Sequence, residues 1–104
     1  MKAIVTRVTL KPGTADAVAA LFEGTNPALV RDWPQWRGAR MLIDRAREEV
    51  TVIAIWTSEE AYRAFAATDG FRQTMARFAG HFAGPPEVRV TDVAVEMTPE
   101  GVHG

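Results

Sequence analysis

The chain contains no cysteine. Disulfides, thiolate metal sites, iron–sulfur clusters and a cysteine nucleophile are therefore excluded. Histidine is nearly as scarce: there are only His81 and, near the C-terminal end, His103. A zinc site would have to lean on carboxylates, and none stands at ligand spacing, so no metal is expected. Charge of either sign is not in excess: 12 basic residues face 13 acidic ones, for a net charge of −1. Nothing electrostatic points to nucleic acid or to an anionic membrane as a partner. No apolar run approaches the ~18 residues that a membrane span requires, and MKAIVTRVTL lacks the apolar core of a secretory signal. Neither glycine-rich phosphate cradle occurs. A cytoplasmic protein is the expectation.

What is present suffices for one core. With 104 residues, 47% hydrophobic and 24% charged, the chain is expected to form a single domain over 1–104. Its core spans about 2–95, with a loose tail over 96–104. Residues 2–10 (KAIVTRVTL) are rich in β-branched side chains and read as a strand closed by Pro12-Gly13. Thr14 is placed to cap a helix with Ala15, Val18, Leu21, Phe22, Thr25 and Leu29 at helical period. Asn26-Pro27 predicts a kink or break there, because proline disfavours the α conformation in the residue before it.

WPQWRG (33–38) reads as a loop with two tryptophans, 39–43 as a second strand, 44–49 as a charged hairpin connection, and 50–57 (VTVIAIWT) as a third strand. Ser58 is a candidate N-cap, with Glu59 and Glu60 placed to complement the helix dipole. Thr68-Asp69-Gly70 should break this helix, Phe71, Met75, Phe78 and Phe82 continue with a second apolar stripe, and Gly84-Pro85-Pro86 ends the helical region before a strand at 88–95. The order β-α-β-β-α-β defines an α+β, ferredoxin-like domain with an antiparallel sheet.

Strand alternation adds an expectation about partners. Val50, Val52, Ala54 and Trp56 point to one face of their strand, Ile53 and Ile55 to the other. In the first strand Ala3 and Val5 oppose Ile4, Val8 and Leu10. Two helices cover only one face, and leaving Val and Ile side chains wet forgoes ~1.5–3 kcal/mol each. A homodimer packed sheet to sheet is expected.

W-x-G before the second strand (Trp36-Arg37-Gly38), a third strand ending in Trp56, T-S-E-E-A-Y at 57–62 and D-G-F-R at 69–72 together resemble the antibiotic-biosynthesis-monooxygenase type of dimeric α+β barrel. The resemblance covers roughly 2–93. It implies sheet-paired homodimers with a pocket between the sheet and the helices of each subunit. It also implies, for part of the family, cofactor-independent oxidation of quinols, phenols or anthrones. No cofactor is then needed, because the substrate's own carbanion or phenolate reduces dioxygen. Other relatives have no known activity, so a non-catalytic dimer binding a small hydrophobic molecule is the alternative. A haem-degrading branch carries an asparagine, a tryptophan and a haem-ligating histidine where this chain has Arg7, Phe65 and Met75, which disfavours haem degradation.

Within that frame Trp56 is a candidate to stack on an aromatic ligand, or to plug the top of the core. Tyr62 is a catalytic candidate as a phenol donor to a substrate oxygen, or a boundary residue whose hydroxyl meets water. His81 is the candidate general base, or an exposed imidazole at a helix C-terminus. Arg7 either snorkels to the sheet edge or pairs with an anionic ligand group. Asn26, Trp33 and Trp36 would form a lid, or pack on the end of the first helix or on a partner. Phe22, Phe65, Met75 and Phe78 complete the expected pocket lining.

Overall fold

The computed structural model describes residues 1–103, the side chain of His103 excepted. Gly104, in the expected loose tail, lies outside the described residues. The strands are β1 (Lys2–Thr9), β2 (Trp36–Asp44), β3 (Glu49–Trp56) and β4 (Glu87–Asp92), and the helices α1 (Ala15–Val30), α2 (Glu59–Ala66) and α3 (Asp69–Ala79). The four strands form one antiparallel sheet in the order β2-β3-β1-β4. This is the ferredoxin-like α+β arrangement read from the element order, with the helices on one face.

Capping chemistry fixes the helix starts unequally. Ser58 Oγ accepts a hydrogen bond from the Ala61 N–H at 3.1 Å, so α2 begins where its sequence says it should. Thr68 does the same for α3, accepting from the Phe71 N–H at 3.2 Å. The break between the two helices thus falls at Ala67-Thr68, and Asp69 and Gly70 already belong to the first turn of α3. Thr14 stands at the start of α1 but makes no side-chain cap. Its hydroxyl donates back to the Lys11 carbonyl at 2.8 Å, holding the preceding turn instead.

Several expectations are corrected. Pro27 does not break α1, which runs on to Val30. Proline removes the hydrogen bond to the carbonyl four residues earlier, and both Pro27 and Glu23 are exposed, so water can satisfy that carbonyl. The helical region ends at Ala79 rather than at Gly84. Phe82 is extended and bridges to Leu10. β4 stops at Asp92. Within the stretch expected to be a tail, β5 (Glu96–Thr98) and β6 (Gly101–His103) pair as a separate two-stranded hairpin.

Buried side chains segregate into two clusters along the helix-covered face. One is aliphatic with phenylalanine: Val8, Leu10, Val18, Val50 and Phe78. The other is centred on Ile4, Val30, Trp56 and Phe65 and is ringed by further aromatics. On the opposite face Val5, Ile53 and Ile55 are only half-buried, and Leu42 remains 50% exposed.

Candidate functional site

Between the sheet and the three helices lies a cavity of about 150 Å³ whose lining reaches into both clusters. Period-two alternation puts Ile4, Thr6 and Val8 of β1, and Val50, Val52, Ala54 and Trp56 of β3, on its floor. Helical spacing supplies the roof: Phe22 and Asn26 from α1, Tyr62 and Phe65 from α2, Phe71, Thr74, Met75 and Phe78 from α3. Among the described residues no lysine, arginine, aspartate, glutamate or histidine side chain lines it.

At one end the aromatic rings interlock. Trp56 is 1% exposed, and its ring centroid lies 4.9 Å from Phe65 and 6.1 Å from Tyr62. Trp33 stands edge-on to both Trp56 and Phe65, at 6.0 and 5.5 Å, and Phe65 contacts Phe71 at 5.2 Å. Such tilted and edge-to-face pairs add about 0.5–1.5 kcal/mol each beyond burial, so this end is rigid. Trp56 is both the plug of that end and part of the cavity wall. Trp33 buttresses it from behind without lining the cavity.

Trp36 reaches the cavity through a backbone irregularity. Ala39, Met41 and Ile43 of β2 face the helices, and simple alternation would turn Trp36 to the other side. The register slips between Trp36 and Ala39, where Gly38 has φ +124°, a conformation that favours glycine. The bulge returns Trp36 to the helix-covered face.

Tyr62 sits in the first turn of α2, set by the Ser58 cap. Burial pushes its phenol above the ordinary value, a rise only partly offset by the Arg63 guanidinium. It is therefore a neutral hydroxyl at physiological pH, able to donate and to accept. Among the described residues its hydroxyl makes no hydrogen bond within the chain.

Eight of the ten expected site residues, Tyr62, Phe22, Asn26, Trp36, Trp56, Phe65, Met75 and Phe78, thus converge on one cavity. Two do not. Arg7 alternates with Thr6 and Val8, so it projects from the uncovered face, beside Thr51 and Glu87 on the neighbouring strands. His81 follows the end of α3 and lies outside the cavity. Its backbone carbonyl accepts from the Lys11 N–H at 2.8 Å, which ties that turn to the end of β1. Thr6 and Thr74 were missed, although both were legible. Thr6 shares strand parity with Ile4 and Val8, and Thr74 lies three residues after Phe71 and four before Phe78.

A family model described as antibiotic biosynthesis monooxygenase matches residues 1–77, three-quarters of the chain. The chain belongs to the antibiotic biosynthesis monooxygenase family. Solved structures agree on the fold. SnoaB, a cofactor-independent oxygenase from Streptomyces nogalater, superposes with a TM-score of 0.76 at 21% identity, over 94% of this chain and 96% of that one. Rv0793 from Mycobacterium tuberculosis gives 0.75 at 16% identity, over 93% and 98%. A conserved protein from Methanosarcina mazei Go1 gives 0.75 at 12%, over 86% and 89%. A search of curated protein sequences finds no significant match. At these identities the likeness is one of fold, and this family member's chemistry has to be argued from its own cavity.

Proposed function

We propose that the protein is a cofactor-independent monooxygenase of a one-ring, electron-rich aromatic of the quinol or phenol type. The observation that carries this reading is the partly open, aromatic-ended, largely apolar cavity bearing a neutral Tyr62 hydroxyl. Family membership and the fold likeness to a cofactor-independent oxygenase support it. Size favours a small substrate: an apolar cavity of this volume holds a benzene-sized ring, whereas a three-ring anthrone would extend beyond it. Among the described residues no histidine lines it to ligate a haem iron.

The reaction balances without an external reductant. A quinol plus dioxygen gives a hydroxyquinone plus water, with the quinol supplying all four electrons. Among the described residues no carboxylate or imidazole base and no cation lines the cavity, so a phenolate there would lack a partner of opposite charge, at a cost of several kcal/mol. Transfer of proton and electron together from quinol to dioxygen avoids that charge. The resulting semiquinone and hydroperoxyl radicals combine through a new C–O bond, and loss of water from the hydroperoxide yields the product. The protein's part is to exclude water and orient the ring, with Tyr62 hydrogen-bonded to a substrate oxygen.

The sheet's other face supports the homodimer reading. Val5, Ile53, Ile55 and Leu42 form an apolar centre on β1, β2 and β3, flanked by Arg40 on one edge strand and Arg89 on the other. An apolar centre with a charged rim is the anatomy of a protein interface, and a second copy packed through it would complete the barrel.

One feature favours a second reading, a non-catalytic binder of small hydrophobic molecules: among the described residues Tyr62 is the only titratable side chain lining the cavity. Oxygen uptake with one-ring hydroquinones decides between the two. The oxygenase reading expects uptake above the spontaneous rate, reduced about tenfold by Tyr62→Phe through loss of one hydrogen bond. No uptake above that rate with any such quinol would overturn it.

A further inference from the structure

The cavity is not uniformly apolar. Its two ends belong to the two buried clusters, and between them the lining changes character: Thr6 from the floor, Asn26 from α1 and Thr74 from α3 all contribute polar side chains. These positions fall where the clusters part. Thr6 lies between Ile4 of one cluster and Val8 of the other. Thr74 lies between Phe71, packed on the aromatic cluster, and Phe78 of the aliphatic one. Thr25 also lines the cavity, but its hydroxyl is already committed to the Leu21 carbonyl at 2.7 Å.

Thr6, Asn26 and Thr74 make no side-chain hydrogen bond among the described residues, and none of their polar atoms is sealed away unsatisfied. All three residues are half-buried, line the cavity and keep hydrogen-bonding capacity to spare. Two hydroxyls and an amide offer both donors and acceptors without net charge. Arg7, Arg40 and Arg89 project from the sheet's opposite face, and among the described residues no lysine or arginine lines the cavity.

We infer that Thr6, Asn26 and Thr74 form a polar belt that binds a neutral oxygen of a one-ring aromatic ligand, while the absence of a cation makes the same cavity reject aromatic carboxylates. This rests on the ligand site being this cavity, as the proposed function has it. It adds a specificity: an uncharged hydroxyl or carbonyl is accepted and an anion is refused. Asn26 and Thr74 become specificity-determining residues rather than helix filler. A benzoate would lose its hydration and find no partner of opposite charge, whereas a phenol exchanges water for belt hydrogen bonds.

The test is binding, read by NMR titration of the full chain at neutral pH with benzene, phenol and benzoate as probes. Phenol is expected to bind about three- to tenfold tighter than benzene, the worth of one net hydrogen bond, and benzoate at least a hundredfold weaker than phenol. Asn26→Leu and Thr74→Val should each lower the phenol-to-benzene ratio toward one, while Thr74→Ser, which keeps the hydroxyl, should preserve it. If one variant fails to fold, the Thr74→Val and Thr74→Ser comparison or Asn26→Leu still decides the point. Equal affinities for phenol and benzene in the unsubstituted protein would refute the belt, as would a ratio unmoved in every folded variant. Benzoate binding as tightly as phenol would refute the charge exclusion. In those cases the cavity remains the ligand site. Binding of none of the probes would remove the cavity as the site and the belt with it.

Discussion

On the sheet-to-sheet dimer proposed above, replacing Ile53 by lysine should split the two copies and leave each subunit folded. Ile53 lies at the centre of the uncovered sheet face, opposite Val5 on β1 and Arg40 on β2. It does not line the cavity. Full burial of an isoleucine stabilises by ~1.5–3 kcal/mol, and Ile53 is already half-buried within its own subunit, so dimerisation adds about 1 kcal/mol per copy. A two-fold interface counts the loss twice, about 2 kcal/mol. The new ammonium would also stand beside the Arg40 guanidinium in a face meant to be desolvated. Even a heavily relaxed penalty for burying it adds about 1 kcal/mol per copy. The sum, about 4 kcal/mol, weakens association nearly a thousandfold. Light scattering across a concentration series measures the mass directly, with circular dichroism as the check on fold. A wild-type mass of one chain at micromolar concentration would refute the dimer. A lysine variant that remains dimeric would refute the placement of its interface.

The cap assignments give a matched pair. Ser58→Ala removes a formed cap and should cost about 1 kcal/mol, a fall of roughly 4–8 °C in melting temperature, whereas Thr14→Ala, which loses no cap, should cost clearly less. Phe65→Ala, at the hub of the Trp33, Trp56 and Phe71 contacts, should destabilise by about 3–5 kcal/mol in denaturant titration. A loss under about 1 kcal/mol would mean that the aromatic end is not the rigid plug described. Tyr62 has a phenol raised by burial, so its contribution to stability is fully present below the ordinary value near 10 and is lost only as pH rises through the higher folded value. Oxygen-uptake profiles should therefore show no tyrosine titration between neutrality and mild alkali. A basic limb there that vanishes in Tyr62→Phe would contradict the assignment.

Much of the site could be read before any coordinates, because it rests on local periods. Alternation alone puts Trp56, Val52 and Val50 on one face and Ile53 and Ile55 on the other. Helical spacing aligns Phe71, Met75 and Phe78, and Ser58 announces the start of the helix that carries Tyr62. Arg7 was misplaced for a related reason: its charge suggested a ligand partner, while its parity with Val5 already assigned it to the uncovered face. Trp36 went the other way. Its strand parity points outward, and only the bulge at Gly38 turns it to the cavity.

The sequence by itself determined the order of elements as far as β4, the family and the two-faced sheet, since each depends on residues a few positions apart. Tertiary structure decided which distant residues share a wall. That Thr6, Asn26 and Thr74 meet around one cavity follows from β1 lying inside the sheet beneath helices α1 and α3. That α1 survives Pro27 follows from exposure, which lets water take the freed carbonyl. His81 was excluded from the site because α3 ends before it and its backbone is spent on Lys11. Short-range periodicity tells a side chain which way to face; only packing tells it what it will face.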